Sequence, residues 1–357
     1  MGSHKIISED LEEISNEIRD ISHKLNGETI FIAGGAGFLG KYLVSTLDYL
    51  NKNSLEKPCK VIVADNFITG LERKIEENEN ISVIKQDISK EFILEGDVDY
   101  IIHAASLASP KFYNKFRLET INAGFLGTRN LLEIAKEKNV KNFLFFSSSE
   151  VYGDPDSKFI PTPEEYRGNV SCNGPRSCYD EPKRIGETLC VNYGDIHNIP
   201  IKIVRPFNVY GPGMRLDDGR VIPNFVSSAI NGEKITMYGD GDQTRTFCYI
   251  SDATSGWIKA LLSSESERIF NIGNDDQEIK MKHLGDLVLG LVGNKNSSVE
   301  YKEDKMGVYG NKSDPSRRCP DLTKSRNILH YNPKVNLVFG IKRFIKWAED
   351  EILVNKK

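Results

Sequence analysis

The chain has no apolar run long enough to cross a bilayer and no signal-peptide core, so neither a membrane partner nor export is expected. Cysteine is scarce. Cys59, Cys172, Cys178, Cys190, Cys248 and Cys319 are scattered, none forms a C-x-x-C pair, and no Cys/His cluster has zinc spacing. That argues against a disulfide framework and a metal site, and the expected setting is the reducing cytoplasm. Charge of one sign is not in excess either. The 47 Lys plus Arg against 51 Asp plus Glu give a net charge of −4 with both signs interspersed. Such a surface gives no reason to expect nucleic acid as a partner. Internal repeats and low-complexity stretches are missing too.

What is present is ordinary globular composition, 39% hydrophobic and 27% charged over 357 residues. Met1-Gly2-Ser3-His4 resembles an expression scar. Leu11, Ile14, Ile18, Ile21 and Leu25 recur at helical steps, which predicts one amphipathic helix over 8–25, with Ser8 as N-cap and Asn26-Gly27 as the stop. Near-continuous apolar strands then alternate with helices. The strands fall at Thr29–Ala33, Val61–Asp65, Ser82–Ile84, Asp99–His103, Asn142–Phe146 and Ile201–Val204. Helices are expected at Phe38–Leu50, Leu118–Glu137 and Tyr179–Tyr193. This is the pattern of a parallel sheet covered on both faces, an α/β doubly wound (Rossmann) dinucleotide-binding fold. After Arg205-Pro206 the chain turns loop-rich, with helices expected at Asn224–Asn231, Asp252–Ser263, Met281–Leu291 and Val338–Glu351. The expected division is an N-terminal helical appendage over 5–27, an NAD-binding domain over 28–204, and a smaller α+β substrate lobe over 205–357 that returns some segments to the first domain.

Gly34, Gly37 and Gly40 recur every third residue between the first strand and a helix opening with Phe38 and Leu39. Glycines there permit a tight turn and close approach of a pyrophosphate to the helix N-terminus. Asp65, followed by Asn66, ends the next strand. A carboxylate at that place accepts from a ribose 2′-hydroxyl and repels a 2′-phosphate, which favours NAD over NADP. Asp87 and Ile88 follow the third strand, where the adenine would lie. His103 alone is more often a packed histidine than a catalytic one.

Tyr179 and Lys183 are four residues apart, one turn of a helix. An ammonium beside a phenol favours the phenolate, and a tyrosine so tuned can take a proton from an alcohol. Taken alone the spacing is common. It gains weight from Ser148, in the Ser147-Ser148-Ser149-Glu150 stretch that leaves the fifth strand at the crevice end of the sheet.

These residues, with Gly174–Arg184, Arg205–Gly211, Asp218–Val221, Tyr238–Asp252 and Arg317–Asp321, make the chain similar to the extended short-chain dehydrogenases/reductases that act on nucleotide sugars. Within them it most resembles the UDP-glucuronate decarboxylases, over nearly all of Thr29 to Glu349. The resemblance implies NAD as cofactor and a UDP-sugar as substrate. Tyr179 would take the proton of the sugar 4-hydroxyl, Lys183 would hold the ribose hydroxyls and lower the tyrosine pKa, and Ser148 would share the same oxygen. Glu150 and Arg318 would handle the carboxylate, a water or the enolate proton. In the 4,6-dehydratases an Asp usually stands where this chain has Ser149, and 4-epimerases usually lack the Glu, so Ser149-Glu150 favours decarboxylation. A 4-epimerase, a 4,6-dehydratase or a non-catalytic NAD-binding scaffold are the competing readings. Asn208, Arg220 and Arg245 are nominated for the diphosphate, an arginine fork being suited to it, and Tyr238 for the base or ribose. The resemblance also implies a homodimer built from helices near Leu118–Lys138 and Tyr179–Tyr193. The chain departs from the family pattern at Ser148, where threonine is more usual, and at Pro182, which requires the helix to start at or just before Tyr179.

Overall fold

Strands that are apolar on both faces need cover on both, and this chain supplies it by alternating strands with helices. The computed structural model describes residues 2–69, 75–303 and 315–355. In chain order α1 (Gly2–Glu17) and α2 (Arg19–Ser22) precede β1 (Thr29–Ala33), α3 (Phe38–Asn53), β2 (Lys60–Asp65), β3 (Ile81–Lys85) and β4 (Tyr100–His103). Next come α4 (Pro110–Tyr113), α5 (Arg117–Asn122), α6 (Thr128–Lys138), β5 (Asn142–Phe146), α7 (Ser177–His197) and β6 (Ile201–Pro206). The remainder holds β7 (Val209–Tyr210), α8 (Val221–Asn231), β8 (Ile235–Tyr238), β9 (Thr244–Arg245), β10 (Cys248–Tyr249), α9 (Ile250–Leu261) and β11 (Ile269–Ile272). It closes with β12 (Ile279–Lys280), α10 (Met281–Val292), β13 (Val299–Lys302), β14 (Arg317–Arg318), α11 (Thr323–Leu329) and α12 (Leu337–Asn355).

Seven strands form one parallel sheet in the order β11-β6-β5-β4-β1-β2-β3. Successive residues of β1 feed opposite faces: Ile30 and Ile32 belong to one core, Phe31 and Ala33 to the other. β1 and β4 are neighbours at the point where strand order reverses, which places a ligand crevice beyond their C-terminal ends. The backbone closes tightly there. Gly34 has φ +81, and a Cβ on it would lie 2.4 Å from Ala105 Cα, so no other residue fits. Of the six cysteines only Cys172 is exposed, and none is paired.

Three local expectations are corrected. The N-terminal helix starts at Gly2, so Gly2 to His4 are its first turn and Ser8 lies inside it rather than capping it. It breaks at Ile18, whose φ of −112 and ψ of 9 leave the helical region, and it packs on the body through Ile6, Ile14 and Ile18. The helix expected over Leu118–Glu137 is interrupted by a π turn at Ala123–Gly127. Finally, α7 begins at Ser177, which puts Pro182 in its second turn. The interruption and the proline meet: a Cβ on Gly124 would come 2.5 Å from Pro182 Cβ, so the glycine lets the two helices pass.

Candidate active site

A cavity of about 370 Å³ opens at the crevice. Its walls come from the glycine turn (Gly34, Gly37, Phe38, Leu39), the exit of β5 (Ser148, Ser149, Glu150), the start of α7 (Tyr179, Lys183) and the second half of the chain (Asn208, Arg220, Tyr238, Arg245, Arg318). Thus the residues proposed for catalysis and for substrate share one space. Asp65, Asn66, Asp87 and Ile88 do not line it. Asp65 instead accepts from the amides of Ala36 (3.1 Å) and Phe67 (2.9 Å), bracing the glycine turn from behind, and burial raises its pKa. Asn66 and Asp87 accept from the amides of Ile68 and Ser89, two residues on, and Ile88 is a core side chain.

Ser148 is held in extended backbone, and its hydroxyl accepts from the Glu150 amide (3.2 Å) and lies near enough to Tyr179 to lower the pKa of the phenol. The buried Tyr179 ring stacks on Tyr113, centroids 5.5 Å apart. Lys183 is buried too, and its Nζ donates to the Phe146 carbonyl (2.6 Å) while standing 5.7 Å from the centre of the Tyr179 ring. The expected acidification of the phenol by Lys183 is not what these residues produce. Burial pushes Tyr179 up to about 12, Ser148 pulls it down, and Glu150 and Asp180 push it further up. Burial also pulls Lys183 down to about 7. Each group is driven towards its neutral form, because neither charge is solvated. His103 is a packed histidine as expected, its Nε2 3.0 Å from the Thr128 hydroxyl, and burial takes it down to about 3.

Glu150 is gripped from two sides. Arg318 meets its two oxygens at 2.8 and 2.9 Å, and Arg176 reaches Oε2 at 2.5 Å. Arg318 also stands 3.5 Å from Asn208 Oδ1. Arg176 was not singled out from sequence. The available signal was its place three residues before Tyr179, at the N-cap of α7. Asp180, also not foreseen, is buried beside this cluster with Oδ1 unpartnered, and burial and then Glu150 push it up to about 8. Arg220 is engaged by Asp218 through Nε (2.5 Å) and Nη2 (3.0 Å), so the fork nominated for a diphosphate is already occupied by a carboxylate on two of its nitrogens. Arg245 donates to the carbonyls of Thr244 and Pro315 at 2.7 and 2.5 Å.

The glycine turn fits a dinucleotide. Gly37 caps α3, and the first intrahelical bond runs from the Lys41 amide to the Gly37 carbonyl at 2.9 Å. The amides of Phe38, Leu39 and Gly40 are therefore the open donors of the helix N-terminus, and these residues line the cavity. A Cβ on Gly37 would meet only the Gly34 carbonyl, leaving its cavity side clear.

Comparison with known proteins agrees with this geometry. Residues 30–273 match the NAD dependent epimerase/dehydratase family. UDP-glucuronic acid decarboxylase 5 of Arabidopsis thaliana is 42% identical over 315 residues, covering 87% of this chain and 86% of its own. UDP-glucuronic acid decarboxylase 1 of Xenopus tropicalis is 37% identical over 326 residues, covering 90% and 72%. Among solved structures, the UDP-glucuronic acid 4-epimerase of Bacillus cereus, in complex with UDP-glucuronic acid and NAD, superposes with a TM-score of 0.73 at 26% identity over 90% of this chain and 99% of the other. The epimerase Mth375 of Methanothermobacter thermautotrophicus reaches 0.80 at 26% identity over 96% and 98%. Among the described residues no helix is long and apolar enough to cross a membrane. With these relatives matched over most of both chains, the protein belongs to the NAD dependent epimerase/dehydratase family, among its UDP-glucuronic acid decarboxylases.

Proposed function

We propose that this chain converts UDP-glucuronate to UDP-xylose through a 4-keto sugar. The observation that carries the reading is one cavity in which Ser148, Tyr179 and Lys183 face Glu150 held between Arg176 and Arg318. NAD bound along the glycine turn supplies the two-electron acceptor and donor and, when oxidised, a positive charge. Tyr179 Oη takes the 4-hydroxyl proton, with the Ser148 hydroxyl holding the same oxygen. A phenolate in this dry site needs a cation nearby, and protonated Lys183 is that cation. The 4-ketone turns the C5 carboxylate into a β-keto acid. Breaking the C5–C6 bond releases CO₂ and moves the electron pair onto the 4-oxygen, where the Ser148 and Tyr179 hydroxyls hydrogen-bond it. Arg318 orients the departing carboxylate, a water held by the Glu150 carboxylate gives its proton to C5, and Ser149 leaves no acid to expel a 6-hydroxyl.

Asn208, Tyr238 and Arg245 are assigned to the nucleotide. Arg220 joins them if a diphosphate displaces or shares Asp218. Asp65 and the segment around Asp87 and Ile88 are assigned to the adenosine half of NAD. The working unit is read as a homodimer, which Leu118, Ile121, Phe125 and Ile185 support as exposed apolar residues on neighbouring helices. The six free thiols favour a cytoplasmic setting.

Incubation with UDP-glucuronate should give CO₂ and UDP-xylose in equal amounts without net NADH. Formation of UDP-galacturonate with no CO₂ would replace this reading with epimerisation. Sedimentation should report a dimer that Leu118→Lys converts to monomer.

A further inference from the structure

The N-terminal helix takes no part in the chemistry above, yet it carries a fully buried carboxylate. Asp10, on α1, is 0% exposed. Its Oδ2 accepts from the hydroxyls of Tyr42 (2.9 Å) and Tyr249 (3.1 Å), and its Oδ1 accepts from Arg343 Nη1 (3.0 Å). The donors come from α3, β10 and α12, so one side chain ties α1 to three elements distant in sequence. Glu13, one turn on, holds the same Arg343 at 2.9 and 2.5 Å.

Two of these ties lead to the cavity. Tyr42 lies one turn beyond Phe38 on α3, and the two rings meet edge to face, centroids 6.0 Å apart. Phe38 lines the cavity at the glycine turn, and both rings underlie Gly213 of the opposite wall, 3.8 and 3.9 Å from where its Cβ would sit. Tyr249 meets Tyr210 edge to face at 5.7 Å, and Tyr210 lines the same cavity from the second half of the chain. Asp10 thus joins, from behind, the helix assigned to the cofactor and the wall assigned to the nucleotide sugar. Removing the carboxylate leaves two buried hydroxyls without their acceptor, which asks both rings to move.

We propose that Asp10 is a positioning residue, through which α1 clamps α3 to the substrate wall and sets the affinity of the cleft for NAD and the UDP-sugar. This rests on the reading that NAD lies along the start of α3. Glu17, further along α1, does not have this reach: it bonds Lys334 and lies 3.9 Å from Lys259, neither of which lines the cavity.

The test uses the full chain with Asp10→Asn, which keeps the shape, Tyr42→Phe, which removes one hydroxyl and keeps the ring, and Glu17→Gln as control. Three quantities are read: the Kd for NAD, the Kd for UDP, and amide exchange over residues 38–53. Asp10→Asn should weaken NAD by about tenfold, a typical coupling between linked sites, and UDP by a smaller factor. Exchange in α3 should quicken, kcat at saturation should stay within about twofold, and Tyr42→Phe should shift all three quantities the same way by less. Should Asp10→Asn and Tyr42→Phe melt earlier but bind NAD and UDP like Glu17→Gln, α1 is only a structural brace and the proposal falls. Should Asp10→Asn fail to fold, Tyr42→Phe alone decides. If the unmodified chain takes up no NAD, the functional reading fails, and the exchange and UDP arms still decide whether Asp10 couples the walls.

Discussion

Tyr179 and Tyr42 are both buried tyrosines, and burial raises both pKa values. Their neighbours differ. Tyr179 opens on the cavity near the neutral hydroxyl of Ser148, with Lys183 one turn away. Tyr42 is closed off against Asp10, whose carboxylate raises its pKa further. Burial therefore does not make a tyrosine a base. Access and a cation within reach do, while an anion as partner makes a permanent donor, useful for holding elements together.

The largest effect expected from this contrast is at Tyr179. Tyr179→Phe should lower kcat by about a thousandfold, the scale of a lost general base, with the fold intact by circular dichroism. Tyr42→Phe should leave kcat at saturation within about twofold. Comparable losses from both would erase the distinction.

Lys183→Met sharpens it. Activity should fall by at least about a hundredfold, yet the variant should melt later than the parent, because a buried ammonium opposes folding. The sign follows from the shift: Lys183 is pulled from 10.5 to about 7 in the fold, so the unfolded chain binds the proton more tightly. The penalty is complete below about pH 7 and fades as pH rises to the unfolded value. The stabilising effect of Lys183→Met should accordingly be largest at or below neutrality and vanish towards pH 10.5, measured as melting temperature against pH.

A smaller loss is expected where charge is already balanced. Arg176→Met removes one guanidinium from Glu150 and keeps Arg318 on it. It should cost about tenfold in kcat/KM for UDP-glucuronate, with less change in the Kd for UDP, since the Arg318 ion pair on Glu150 remains. Equal losses in both measurements would mean that Arg176 holds the nucleotide and not the carboxylate end.

The strands, the glycine turn and the Tyr179, Lys183 pair were legible because each is local: a run of apolar residues, a triplet repeat, a four-residue spacing, and Ser148 stood out by its place at the exit of a strand. Pairings across the chain were not. Arg176 meets Glu150 only because α7 starts beside the exit of β5, and Arg220 meets Asp218 through a turn whose geometry spacing does not reveal. The π turn at Gly124 answers Pro182, a contact between helices that periodicity along either cannot predict. Asp10 was the hardest to read. It sits among Glu9, Glu12 and Glu13, where an acid looks solvated, and its donors lie 32, 239 and 333 residues away.

The uneven placement of the cysteines gives the protein its own clock. With Cys172 exposed and Cys59, Cys178, Cys190, Cys248 and Cys319 buried, a thiol reagent meets one sulfur at once and the others only as the chain opens. Cys178 adjoins Tyr179, and Cys248 adjoins Tyr249 at the end of the Asp10 clamp, so the order in which buried thiols become labelled reports which of the two tyrosine neighbourhoods loosens first.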